Sequence, residues 1–199
     1  MARMPLAWHD EPQGWLGGAR RIESPNQDAR PEGVVVDLLV VHHISLPPGR
    51  FSGDAVPRLF TNTLDCDSHP YFDGLRTLRV SAHFLVRRRG EVLQFVGTDR
   101  RAWHAGLSAF MGRERCNDFS VGVELEGDAA TCFTHAQYRR LAELTAVLAA
   151  RLPLRWLAGH SDIAPGRKTD PGPRFDWPRY LSMVDGMRLR RPFGDDTSR

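Results

Sequence analysis

Cysteine is scarce. The chain has three in 199 residues, Cys66, Cys116 and Cys132. An odd number without a C-x-x-C pair argues against a cysteine zinc site and suits reduced thiols. Long apolar runs are missing too. The longest, Val34 to Val41, is broken by Asp37 and is far shorter than the roughly 20 residues a membrane span needs. The opening MARMPLAWHDEPQGW has no apolar segment followed by a small-residue cleavage site, so no signal peptide is read and a cytoplasmic setting is expected. There is no internal repeat. A continuous basic tract is also lacking. The net charge of +3 comes mostly from arginine, and arginines run together only at Arg87, Arg88 and Arg89, beside Gly90. That cluster reads as a charged hairpin turn, so no nucleic-acid partner is expected. A mildly basic enzyme with anionic substrates fits the balance.

What remains is ordinary globular composition, 41% hydrophobic and 26% charged, which predicts a single domain over residues 1–199. Residues 1–30, rich in Pro and Gly, are expected to form an irregular arm. Val34 to Val41 has the β-branching of a buried strand, and SLPPG after His43 ends it. Asp54 to Phe60 suggests a short helix, and residues 61–77 a long functional loop. Leu78 to Arg87 and Glu91 to Val96 read as a hairpin. Phe119 to Leu125 reads as another strand. Thr134 to Leu152 is the clearest helix: Thr134 and Gln137 suit a capping box, Tyr138, Leu141, Thr145, Leu148 and Leu152 share a face, and Pro153 stops it. Trp156 to Gly159 predicts a short strand, Asp176 starts a last helix, and the tail after Arg190 is expected to fray. Strands mixed with helices in no strict alternation predict an α/β fold, a central mixed sheet flanked by helices.

Two of the eight histidines, His42 and His160, stand at strand ends that open into loops, where sheet proteins place reactive groups. Asp170 lies ten residues beyond His160, across a Gly/Pro-rich loop that can fold back. Two imidazoles and a carboxylate make a three-ligand zinc site with an open fourth position. Zinc there lowers the pKa of a bound water from about 15.7 towards about 7. Spacing alone leaves the ordinary alternative standing, histidines that only pack or face solvent.

The segments VVHHISLPPGRF, HPYF, LRVSAHFLVRR, RAWHAG, GRERCNDFSVGVELEG and GHSDIAPGRKTDPGPRFDW resemble the cytoplasmic anhydro-muramyl peptide amidases of the AmpD type. These belong to a zinc amidase family that includes phage T7-type lysozyme and peptidoglycan recognition proteins. The resemblance runs from about Trp15 to Trp177. It implies a peptidoglycan-recognition-protein-like sheet with Zn2+ in a groove, held by His42, His160 and Asp170. It implies Glu124 and Lys168 as catalytic residues, the first moving a proton and the second steadying an oxyanion. It implies cleavage of the amide between anhydro-N-acetylmuramic acid and L-Ala, a step in peptidoglycan recycling, by a monomer acting on a muropeptide. Arg79 and Arg115 match peptide-contacting positions, where guanidinium forks suit substrate carboxylates. Tyr71 and Trp103 match groove positions, with burial the rival reading for Trp103.

The chain departs from the pattern at His43, where close relatives usually carry Asn. The reading preferred is that His43 supplies the replacement hydrogen bond to substrate. The turn before His160 is about two residues shorter than in relatives. His83, mid-strand, and His104, beside Trp103, receive no chemistry of their own, although either could hydrogen-bond a metal ligand or the substrate. Cys116 reads as packing. A non-catalytic muropeptide-binding module of the same fold is the alternative function. The presence of all three ligand types with Glu124 and Lys168 favours the enzyme.

Overall fold

The computed structural model describes residues 4–8 and 14–193. Six strands form the central sheet: β1 (Arg20–Arg21), β2 (Leu38–Ile44), β3 (Phe84–Val86), β4 (Val92–Gln94), β5 (Ser120–Glu126) and β6 (Trp156–Gly159). Their order is β6-β2-β5-β3-β4-β1. The four strands β6, β2, β5 and β3 run parallel, β3 and β4 form an antiparallel hairpin, and β4 pairs parallel with β1. Parallel strands at the middle of a sheet need cover on both faces, and every residue from Leu38 to His42 and from Ser120 to Glu126 is buried.

Alternation along the strands sorts the two faces. Leu39, Val41, Val121, Val123 and Leu125 pack under the helix α2 (His135–Ala149) through Tyr138, Leu141, Leu144 and Leu148. The opposite face carries Leu38 and Val40, covered by Ala105, Phe110, Cys116, Phe119 and Ile163. A third cluster, including Leu85, Leu93 and Phe95, lies under α1 (Ala55–Phe60). The α2 capping box forms as its sequence predicts: Thr134 Oγ1 accepts from the Gln137 amide at 3.1 Å, and Gln137 Oε1 accepts from the Thr134 amide at 3.0 Å. Asp176 likewise caps α3 (Trp177–Val184), accepting from the Arg179 amide at 2.9 Å.

Several boundaries differ from the sequence reading. The strand at Val34 starts only at Leu38 and runs on through both histidines. Asp37 decides this. Its carboxylate pairs with Arg113 at 3.0 Å and its carbonyl accepts from the Arg155 and Trp156 amides, while Val35 lies exposed. Of Leu78 to Arg87, only Phe84–Val86 joins the ladder, because the Ser81 amide bonds instead to the Trp103 carbonyl. The loop 61–77 contains two 3-10 turns, Cys66–Ser68 and Pro70–Leu75.

The expected irregular arm is a clasp. Its Arg20–Arg21 edges the sheet, Leu6, Trp15 and Leu16 are buried, and Gln27–Ala29 pairs with Arg100–Ala102. Ser24 and Asn26 are buried on the carbonyls of Phe60 and Val80. The tail does not fray at Arg190 either. Arg190 exchanges backbone bonds with Arg155 and Leu157, and Arg191 pairs with Asp162 at 2.9 Å. The rest of the expected frayed tail, 194–199, lies outside the described residues.

Candidate metal centre at the strand tips

Register assembles the site. β5 sets Glu124 opposite His42, and β6 sets Gly159 opposite Val41, so His160 emerges one residue beyond. Three parallel strands thus bring an imidazole, a carboxyl and a second imidazole to one edge. His160 opens a single helical turn, His160–Ile163, and Asp162 closes it by accepting from the Gly159 amide at 2.7 Å. Gly159 has no room for a side chain there, since a Cβ would stand 2.6 Å from Pro171. The loop that follows returns because the Ser161 amide bonds to the Asp170 carbonyl at 2.8 Å. Arg167 fastens it from outside, donating to the carbonyls of Ala105 and Leu107 at 2.6 and 2.5 Å.

Three donor atoms meet at this point. His42 Nδ1 lies 2.9 Å from His160 Nδ1, and Asp170 Oδ2 lies 3.1 Å from each. Ligands about 2.0–2.1 Å from a tetrahedral zinc stand about 3.3 Å apart, so the near-equilateral triangle suits one cation. The outer nitrogens are engaged as well. His42 Nε2 lies 2.9 Å from His104 Nδ1, and His160 Nε2 donates to the Ala105 carbonyl at 3.1 Å.

Electrostatics fit the same use. Burial, with His160 and Lys168 adding, lowers His42 to about 4 against the pull of Asp170. Burial also pushes Asp170 upward, but hydrogen bonds to His160 and His42 outweigh it and hold the carboxyl below its usual range. Burial raises Glu124 well above a normal glutamate, Asp170 adds to this, and the charge of Lys168 opposes it. Glu124 Oε2 is buried with no hydrogen-bond partner among the described residues. Such an orphan oxygen is costly unless something occupies its vicinity in the working protein.

The remaining predicted residues are spread around this centre. Lys168 is exposed on the returning loop, where its charge acts on both His42 and Glu124. His43 points to the other face of β2, its ring 6.5 Å from that of Phe133, with Nε2 buried and unbonded among the described residues. Arg115 has a left-handed backbone (φ 60°) and pairs with Asp118 at 3.3 Å. Arg79 is exposed and donates to the carbonyls of Arg76 and Leu78. Tyr71 is exposed. Trp103 is half-buried, and its backbone amide donates to Ser81 Oγ at 3.1 Å. His104, given no chemistry from sequence, is a direct neighbour of a donor histidine. The one sequence signal was its place in RAWHAG; its partner depends on pairing between distant segments.

A mixed α/β sheet whose parallel tips gather two imidazoles and a carboxylate beside a buried glutamate defines the class, a hydrolase fold with a candidate metal site. The profile of the N-acetylmuramoyl-L-alanine amidase family matches residues 31–173. The chain is 55% identical over 174 residues to the 1,6-anhydro-N-acetylmuramyl-L-alanine amidase AmpD of Escherichia coli (strain K12), covering 86% of this chain and 95% of that one. A crystal structure of a Se-Met AmpD derivative superposes with a TM-score of 0.83 at 55% identity, covering 86% of this chain and 97% of that chain. The E. coli amidase AmiD, solved with anhydro-N-acetylmuramic acid-L-Ala-D-gamma-Glu-L-Lys, gives a TM-score of 0.54 at 28% identity over 89% of this chain and 65% of that one. Drosophila PGRP-LB, at 18% identity and a TM-score of 0.54 over 86% of this chain and 96% of that one, shares the fold. The chain belongs to the N-acetylmuramoyl-L-alanine amidase family.

Proposed function

We propose that the chain holds one zinc ion on His42, His160 and Asp170 and hydrolyses the amide between 1,6-anhydro-N-acetylmuramic acid and L-Ala of a stem peptide, in cytoplasmic peptidoglycan recycling. The triangle of donor atoms at 2.9–3.1 Å carries the reading. Two imidazoles and one carboxylate with a position left open are a donor set that suits hydrolytic zinc. When bound, the ion supplies Lewis acidity, polarising a carbonyl and acidifying a water.

The chain's own residues do the rest. Glu124, buried and raised, is suited to take a proton from the attacking water and deliver it to the leaving amide nitrogen. Burial and Asp170 raise its proton affinity, and the charge of Lys168 opposes them. Lys168 places an ammonium beside the reacting centre, where charge develops on the carbonyl oxygen. Arg79 and Arg115 offer exposed guanidinium forks for peptide carboxylates. Tyr71 and Trp103 offer aromatic faces to sugar or peptide.

The test is metal analysis beside cleavage of an anhydro-muropeptide, with and without chelator. The expected result is about one zinc per chain, with cleavage that stops on chelation and returns with zinc. Zinc and muropeptide binding without cleavage would move the chain to a binding-module role. A chain that cleaves fully without metal would refute the metal assignment.

A further inference from the structure

The donor histidine His42 is not held by the metal triangle alone. Behind it runs a chain of hydrogen bonds that ends on a backbone carbonyl. Ser120 Oγ lies 2.6 Å from the Cys116 carbonyl, which can only accept, so the hydroxyl proton is committed there. Ser120 Oγ therefore meets His104 Nε2, at 3.1 Å, as an acceptor, and the His104 proton sits on Nε2. That leaves His104 Nδ1 as a lone pair facing His42 Nε2 at 2.9 Å. His42 then carries its proton on Nε2, and its Nδ1 is bare toward His160 and Asp170.

The packing is shaped for this ring. A Cβ on Gly122 would come within 2.4 Å of His104 Cγ and 2.5 Å of Nδ1, so glycine on β5 clears the space. Asn117 Oδ1 anchors the backbone amides of His104 and Ala105 at 3.1 and 2.8 Å. The His83 ring closes the other side, 5.8 Å away.

We propose that His104 is a positioning residue for the metal centre: the relay Cys116–Ser120–His104 fixes the tautomer and ring plane of His42 so that Nδ1 is presented to the ion. This rests on the zinc reading given above. Outer partners of metal-bound imidazoles typically contribute about 10–100-fold in metal affinity.

The test compares His104→Phe, which keeps a ring and loses the acceptor, with His104→Asn, whose side-chain oxygen can take the place of Nδ1. Zinc affinity is read by competition with a chromophoric chelator, and folding by thermal melting. The expected result is zinc binding about 10–100-fold weaker in His104→Phe and within a few-fold of the parent in His104→Asn. Equal weakening in both variants, or parental affinity in His104→Phe, overturns the proposal. A parent protein that binds no zinc overturns instead the reading beneath it. Should His104→Phe fail to fold, the zinc-loaded parent decides: two-bond 1H–15N spectra should show His104 protonated on Nε2 with Nδ1 bare. A proton on Nδ1 overturns the relay.

Discussion

Glu124 combines burial with an oxygen that nothing in the described protein satisfies, whereas Asp170 is held by both donor histidines. Their roles should therefore separate by mutation. Glu124→Gln keeps shape and removes the base, so zinc content should stay near the parent value while turnover falls roughly 10²–10⁴-fold. Asp170→Ala should lose zinc and turnover together. Retained turnover in Glu124→Gln would place the proton carrier elsewhere. Lys168 can be probed without mutation, because it is the only lysine in the chain. Acetylation removes its charge and methylation keeps it. Acetylated protein, verified by peptide mass, should retain zinc and lose roughly 10²–10³-fold in turnover, the scale of a lost oxyanion partner. Methylated protein should lose much less. Equal turnover in the two forms would deny the charge a part in the reaction.

Elements divide by whether their causes are local. The starts of α2 and α3 were legible because Thr134 with Gln137, and Asp176, satisfy amides within three residues of themselves, whereas α2 stops at Ala149, short of the expected Leu152. Thr134→Ala should cost about 1 kcal/mol of stability, measured by denaturant unfolding, and leave turnover per folded molecule unchanged, since the cap lies on the α2 face of the sheet. The start of β2 was not legible: Asp37 is tied to Arg113, Arg155 and Trp156, more than seventy residues away. The clasp was not legible either. Polar Ser24 and Asn26 suggest solvent, and the carbonyls of Phe60 and Val80, with the Asn62 side chain, make their burial tolerable. The site shows the same division. His42 and His160 could be picked out as strand ends and Asp170 by its spacing beyond His160, and Glu124 and Lys168 only through matching segments. His104 acquires its partners from the pairing of β5 beside β2, which no local pattern encodes.

At the scale of the whole molecule, three buried imidazoles make stability depend on pH. Burial lowers His42 to about 4 and His83 to about 3, and holds His104 well below an ordinary histidine. In the unfolded chain each titrates near 6.5. Between about pH 6.5 and pH 4 the unfolded chain thus binds protons that the folded protein refuses, and stability falls as pH falls. Glu124 acts oppositely in this window. Burial raises its value on folding, so its contribution is lost as pH rises. One carboxyl stands against three imidazoles, and the imidazoles set the slope. Asp170, held low, adds its loss only as pH drops below the normal carboxylate range. Chelator-treated protein should therefore show a denaturant midpoint that declines from pH 6.5 to pH 4. Zinc-loaded protein should start higher, because the ion binds only the folded state, and the two curves should converge at low pH as protons displace the metal. A metal-free midpoint that stays level or climbs on acidification would mean that these histidines are not held neutral in the fold, and the strand-tip geometry would have to be assigned differently.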